Sequence, residues 1–437
     1  SLGSIMSWGL SEQVGMSDNK FFNDSFYPNS NSQSIFSIYP PGLAFISYMF
    51  KLIGVSEFLI EFLLVLSSFV LFATIILFYK IIKIRQYNYR FFEVQIIFLM
   101  LMCIDYVHYA AEFKPDTIAY LLCFYGLYVF EKHNTDKNII IGSFLISLSV
   151  LFKQQSIFFV FGLILFALLN LKNRKFFYFT SLSSVLYLIV LLILYGNESV
   201  FKYNFEILLD DGFRNVFGGL KELWDQFKTL LLFLCVVFPL VKKNSLKFDN
   251  PIKKLNNPYF FIGLSILSGS VLSFAKNGGN IGNIQMGIFY CSPFIWLFFK
   301  EITFHKITAV IATLILIISV DLGKIEQYYY YYYLKDKVSH FMGNNYNILS
   351  DSDHYSIARH LLNKETTITN LETFDLVIPN FNIESINLDE YDIILLTPSH
   401  SKRLMINKNL KFKPLINMAR SNIYVKKGKQ IDLSVDN

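Results

Sequence analysis

About ten apolar runs, each close to the length that crosses a hydrocarbon slab of about 30 Å, follow one another between residues 57 and 321. They fall at 57–79, 92–110, 115–131, 138–152, 155–171, 176–195, 227–241, 259–275, 284–299 and 306–321. A water-soluble fold would have to bury all of them in one core. Of 437 residues 53% are hydrophobic and 16% charged, with mean hydropathy +0.41, so too few polar side chains exist to coat such a core. The expected class is an all-α polytopic membrane protein.

Orientation follows from the short loops, because Lys and Arg are retained on the cytoplasmic side. Lys80, Lys83, Arg85 and Arg90 follow the first run, Lys132 and Lys137 the third, and Lys172, Arg174 and Lys175 the fifth. Lys242, Lys243 and Lys247 follow the seventh, and Lys300 and Lys306 the ninth. Every second loop is basic. The intervening loops, residues 1–54 and the C-terminal tail are therefore expected together on the non-cytoplasmic face. The net charge of +6 belongs to this alternation and gives no reason to expect a nucleic-acid partner.

Three regions are expected. Residues 1–54 form a polar outer loop with an amphipathic piece near Ile5–Val14, and residues 55–325 form the transmembrane domain. Residues 326–437 form a small extramembrane α/β domain, with a helix from Asp351 or Asp353 through Leu362 and strands at 367–371, 393–397 and 423–427. Its location is periplasmic, or lumenal in a eukaryote. The abrupt opening at Ser1 leads us to expect a missing first transmembrane helix. All four cysteines lie inside apolar runs and suggest neither a disulfide framework nor a zinc site.

Charge between apolar runs is where chemistry is sought, since an ionised group near the bilayer centre costs roughly 2.5–3.5 kcal/mol on insertion scales. Asp105, His108 and Glu112 recur at helical spacing, and Lys114 and Asp116 flank Pro115, which suits the first turn of the next helix. Either they line a cavity or they form a solvated surface turn. No motif specifies a cofactor; a divalent cation on Asp105, His108 and Glu112 is the alternative that the spacing leaves open. Lys153, followed by Gln154 and Gln155, interrupts an apolar stretch. It either snorkels to the interface or pairs with a phosphate. The loop from Lys276 through Asn280 to Asn283 precedes a helix and suits an anion or a plain flexible turn. In the first loop Glu12, Asp18 and Asp24 are the available carboxylates.

The order of these pieces resembles a known group. Tyr-Pro-Pro-Gly at 39–42 ends the outer loop, Lys-Pro-Asp at 114–116 opens a span, and Phe-Lys-Gln lies at 152–154. A Lys-Asn-Gly-Gly-Asn loop follows at 276–280, and a soluble tail closes the chain. Residues 1–325 in this order are similar to the GT-C membrane glycosyltransferases, in particular the protein O-mannosyltransferases and the lipid A aminoarabinose transferase. The resemblance implies a GT-C-like fold and inverting transfer of a sugar from a polyprenyl-phosphate donor to a lipid, glycan or protein acceptor on the non-cytoplasmic face. It also implies that Asp116 is the second of two acids and that Lys153 contacts the donor phosphate. Glu12, then Asp18, are the substitutes for the first acid, which in the family lies further upstream. Lys114, Gln154, Lys276, Asn280, Glu112 and His108 are the further candidates for substrate binding.

A lipid-linked sugar flippase or other secondary transporter is the main rival, because intramembrane charges also mark transport paths. The halves show no matched interrupted helices, which disfavours it. A non-catalytic subunit of a polysaccharide assembly complex is the third class, and it predicts that Asp105, Glu112, Lys114 and Asp116 diverge.

Overall fold

The computed structural model describes residues 40–53, 59–84, 115–133, 135–196, 257–275, 281–291, 346–350, 367–370, 386–396, 411–417 and 422–427, with short pieces at 201, 224, 247–248, 293, 299–301, 401–402 and 404. The chain divides into two compact units, residues 64–322 and residues 1–63 with 323–437.

The described helices are α1 (Gly42–Leu52), α2 (Leu59–Ile84), α3 (Pro115–His133), α4 (Asp136–Leu148), α5 (Ile157–Leu169), α6 (Arg174–Tyr195), α7 (Pro258–Ala275) and α8 (Ile281–Tyr290). Their ends follow from local chemistry. Helix α3 opens on Pro115 and Asp116 and closes on Lys132 and His133, so its terminal charges oppose the helix dipole. Thr135 caps α4 by accepting from the Asn138 N–H at 3.3 Å, and Asn173 caps α6 by accepting from the Phe176 N–H at 3.1 Å.

Short turns make α3 antiparallel to α4 and α5 antiparallel to α6. Lys132, Lys137, Lys172 and Arg174 consequently gather at one end of the bundle, and Asp116 and Lys153 at the other. Short strands β1 (Lys247–Phe248) and β2 (Phe299–Glu301) pair antiparallel, which joins two of the loops read as cytoplasmic.

Aromatic rings fill the bundle. Phe124 of α3 meets Phe78 of α2 edge-on at 4.9 Å and Phe159 of α5 at 5.1 Å, while Tyr120 and Tyr290 lie 4.4 Å apart. Outer faces are apolar as well. Phe69 and Phe72 on α2, Ile140 and Phe144 on α4, Phe161 and Leu165 on α5, and Leu188 and Leu192 on α6 are all exposed. Water does not tolerate such a girdle, whereas hydrocarbon does. Among the described residues, Arg174–Tyr195 and Pro258–Ala275 have both the length and the hydropathy of a span.

Between helices in lipid the hydrophobic effect offers little, so close packing and polar contacts hold the bundle. A methyl group on Gly126 of α3 would lie 2.5 Å from the carbonyl oxygen of Gly142 on α4, and the converse is equally true. The two backbones touch there. Ser143 donates to the Phe179 carbonyl at 3.2 Å and accepts from Ser183 at 3.0 Å, joining α4 to α6. At the basic end the Tyr259 hydroxyl donates to Glu131 at 2.8 Å, joining α7 to α3.

Strands β3 (Asn347–Ser350), β4 (Thr367–Asn370), β5 (Ile393–Leu396), β6 (Phe412–Asn417) and β7 (Asn422–Lys426) form one sheet in the order β4-β3-β5-β7-β6. Strand β3 runs parallel to β4 and β5, and β7 runs antiparallel to β5 and β6. The expected strands at 367–371, 393–397 and 423–427 are all present. The helix expected from Asp351 or Asp353 lies outside the described residues, as does the amphipathic piece near Ile5–Val14.

On this sheet unit the Lys411 ammonium bonds Asp389 and holds its carboxyl below the usual range, with Lys426 adding to the effect. A depressed folded-state pKa adds stability that is present above the unfolded value and is lost as pH falls through the folded one. Because both side chains are exposed, that gain is small. A carboxyl NMR titration is expected to place the Asp389 midpoint below that of an ordinary aspartate, and Lys411→Ala to return it upward. An unmoved midpoint in the variant would contradict the pairing.

Candidate functional site

Helix α4 does not run on into α5. It tightens into a 3₁₀ turn at Ser149–Leu151, Lys153 stands in an extended conformation at φ −152° and ψ 123°, and a second 3₁₀ turn at Gln154–Ser156 leads into α5. A single extended residue between two tight turns takes the lysine out of the helical course. Its Nζ comes within 3.2 Å of Asp116 Oδ1, in the first turn of α3.

Both partners are deeply buried, with Asp116 1% and Lys153 4% exposed. Bringing either ion alone into this interior would cost several kcal/mol, so each is tenable here because of the other. The positive end of the α3 dipole adds to the stabilisation of the carboxylate. Yet the ammonium approaches outside hydrogen-bonding geometry, and neither carboxylate oxygen of Asp116 has a hydrogen-bond partner among the described residues. A pair serving structure alone would ordinarily have its lone pairs filled. Among the described residues this one keeps acceptor capacity that an incoming hydroxyl could use.

Neighbouring polar groups converge on the interruption. Ser156 Oγ donates to the Lys153 carbonyl at 2.8 Å and lies 2.9 Å from the Tyr187 hydroxyl. Tyr187 also donates to the Gln154 carbonyl at 3.3 Å, and Tyr120 to the Gln155 carbonyl at 3.4 Å. The Gln155 side-chain amide donates to Ser273 near the end of α7 at 2.6 Å. Helices α3, α6 and α7 thus meet at the turn between α4 and α5.

Of the residues singled out from sequence, Asp116 and Lys153 are brought together, and Gln154 follows in the same turn. Burial overturns two alternatives. Lys153 does not snorkel to the interface, and Asp116 is not part of a solvated surface turn, because neither side chain reaches solvent. Glu12, Asp18, His108, Glu112, Lys114, Lys276 and Asn280 lie outside the described residues, as does Asp105. Among the described residues no three His, Cys, Asp or Glu side chains cluster as a metal site would require.

Sequence reasoning missed Tyr120, Ser156, Tyr187 and Ser273. Ser156 had a local signal, since a serine three residues after Lys153 can reach back to its carbonyl. Tyr187 and Ser273 had none, because their partners lie 31 and 118 residues away in the chain.

A bundle with this arrangement and an appended sheet has a solved counterpart. The crystal structure of ArnT from Cupriavidus metallidurans, bound to undecaprenyl phosphate, matches 96% of this chain and 93% of its own, with a TM-score of 0.55 and 10% sequence identity. The chain has the GT-C fold. The fold expected from the order of motifs is therefore found. No family model matches the sequence, and no curated protein matches it either. At 10% identity the likeness to ArnT is one of fold, and activity has to be argued from the site.

Proposed function

We propose that this protein is a membrane glycosyltransferase that takes a sugar from a polyprenyl-phosphate donor and passes it to a hydroxyl acceptor at the non-cytoplasmic face, with inversion. The Asp116–Lys153 pair carries the reading: a buried carboxylate, its oxygens without hydrogen bonds among the described residues, beside a buried cation at the end of the bundle away from the basic loops. ArnT, which shares the fold, was crystallised with undecaprenyl phosphate, and this supports the choice of donor.

In the proposed reaction the donor phosphate approaches Lys153, which then balances the phosphate as well as Asp116. The acceptor oxygen attacks the anomeric carbon in line. As that bond forms, the bond between the anomeric carbon and the phosphate oxygen breaks, and polyprenyl phosphate leaves with the electron pair. Asp116 takes the acceptor proton, or orients the acceptor for a second acid, for which Glu12 and Asp18 are the candidates. Lys114, Gln154, Lys276, Asn280, Glu112 and His108 are proposed to line the same cavity. About ten spans, with the sheet domain on the outer face, complete the proposed topology.

Sugar transfer from a polyprenyl-phosphate donor by the full-length protein tests this directly. Removing a general base typically costs on the order of 10²–10⁴ in rate, and removing one charge-stabilising group about 10²–10³. Asp116→Asn and Lys153→Ala are each expected to fall in those ranges. Undiminished transfer by both would end the assignment.

A further inference from the structure

We infer that Tyr187, acting through Ser156, is a positioning residue that sets Lys153 for the donor phosphate; the inference rests on the transferase reading above. An interrupted helix in a membrane keeps only the tighter, poorer backbone bonds of its turn, so side chains that add further bonds to its carbonyls favour the break. Here three successive carbonyls accept a backbone N–H of the turn and, in addition, a hydroxyl: Lys153 from Ser156, Gln154 from Tyr187 and Gln155 from Tyr120.

The direction of the contacts gives Tyr187 its place. Ser156 has one proton, committed to the Lys153 carbonyl at 2.8 Å, so in its 2.9 Å contact with Tyr187 the tyrosine must donate. The phenolic proton is then shared between Ser156 Oγ and the Gln154 carbonyl. This relay fixes Ser156 as a donor toward Lys153, and the backbone on both sides of the Lys153–Gln154 peptide is tied to α6. Both side chains are buried, Ser156 at 0% and Tyr187 at 3% exposure, so water cannot replace either hydroxyl.

Without the phenolic proton, the Gln154 carbonyl loses a donor and Ser156 loses the contact that orients it. The turn then no longer favours an extended Lys153 over a helical one. A helical residue would carry its side chain in another direction, away from the Asp116 contact that the extended conformation permits. The Tyr187 hydroxyl bonds Ser156 and the Gln154 carbonyl. Its effect on the phosphate passes entirely through Lys153.

A double-mutant cycle separates positioning from general loss of structure. Undecaprenyl phosphate binding is titrated by native mass spectrometry for the full-length wild type, Tyr187→Phe, Ser156→Ala, Ser156→Thr, Lys153→Ala and the Tyr187→Phe/Lys153→Ala double variant. One hydrogen bond contributes a net 0.5–1.5 kcal/mol, so Tyr187→Phe and Ser156→Ala are each expected to weaken binding by up to about tenfold. Ser156→Thr, which keeps the hydroxyl, is expected to bind as wild type. In the Lys153→Ala background Tyr187→Phe is expected to change nothing further.

Wild-type affinity in Tyr187→Phe, or the same fold-loss with and without Lys153, overturns the inference while leaving the transferase reading intact. If wild type fails to bind undecaprenyl phosphate, or Lys153→Ala binds as tightly as wild type, the phosphate assignment and this inference fall together. Should Tyr187→Phe not fold, Ser156→Ala against Ser156→Thr decides, since equal binding by those two overturns it.

Discussion

Lys153→Met is expected to destabilise the protein by about 3–5 kcal/mol, because removal of one partner leaves the other charge buried and uncompensated. The methionine fills much of the same volume, so loss of packing does not explain the effect. The buried carboxylate of Asp116 does, since neither of its oxygens has a hydrogen bond among the described residues to fall back on. A second substitution follows from this. The Asp116→Asn/Lys153→Met double variant carries neither of these two buried ions and is expected to recover most of the lost stability, while lacking the proposed transferase activity. Thermal aggregation of the detergent-solubilised protein measures both quantities. If Lys153→Met matches wild type, or the double variant is no more stable than the single one, the pair does not have the energetic role assigned to it.

Gly126→Leu and Gly142→Leu are expected to be more damaging still. Ordinary overpacking of a core costs about 1–3 kcal/mol and is relieved by rotamer changes. At this crossing the opposing atom is a backbone carbonyl oxygen, 2.5 Å from where the first side-chain carbon would sit. No rotamer moves it, so α3 and α4 must separate along their length. Separation would also pull apart the Ser143–Ser183 contact and shift Asp116 relative to Lys153. Neither variant is expected to give a monodisperse peak on size-exclusion chromatography. Ile141→Leu, on the exposed side of α4, is expected to behave as wild type. Monodisperse, active Gly126→Leu protein would show that the helices need not touch.

Much of this was legible in the sequence, for physical reasons that differ by element. The run at 115–131 became Pro115–His133 because Lys-Pro-Asp marks a helix start chemically as well as by hydropathy. The run at 176–195 became Arg174–Tyr195 with its asparagine cap. Of the run at 284–299, helix α8 covers the part up to Tyr290, and residues 292 and 294–298 lie outside the described residues. Residues 299–301 form strand β2.

In the sheet unit, β6 escaped notice because Pro414 argues against a strand. It is tolerated because β6 is the outermost strand and its register shifts between Pro414 and Ile416. Strand β3 has only two apolar residues, Ile348 and Leu349, side by side, so it shows neither alternation nor an apolar run.

The site was only half legible. Asp116 and Lys153 stood out as charges in apolar surroundings, which can be read locally. Their pairing could not be, since it depends on how α3 docks beside the α4–α5 interruption. The hydroxyls that satisfy that interruption were invisible, because a tyrosine in an apolar run looks the same whether it faces lipid or a carbonyl.

The small ribbon between Lys247–Phe248 and Phe299–Glu301 bears on topology beyond its size. Hydrogen-bonded strands must lie on the same side of a bilayer, so the chain crosses an even number of times between Phe248 and Phe299. In the proposed topology α7 leaves that side and the segment beginning at Ile281 returns to it, so a position between them is expected at the opposite surface. Any revised threading of this region has to add or remove crossings in pairs, and an engineered tag placed between α7 and α8 would report the opposite side from one placed beside either strand.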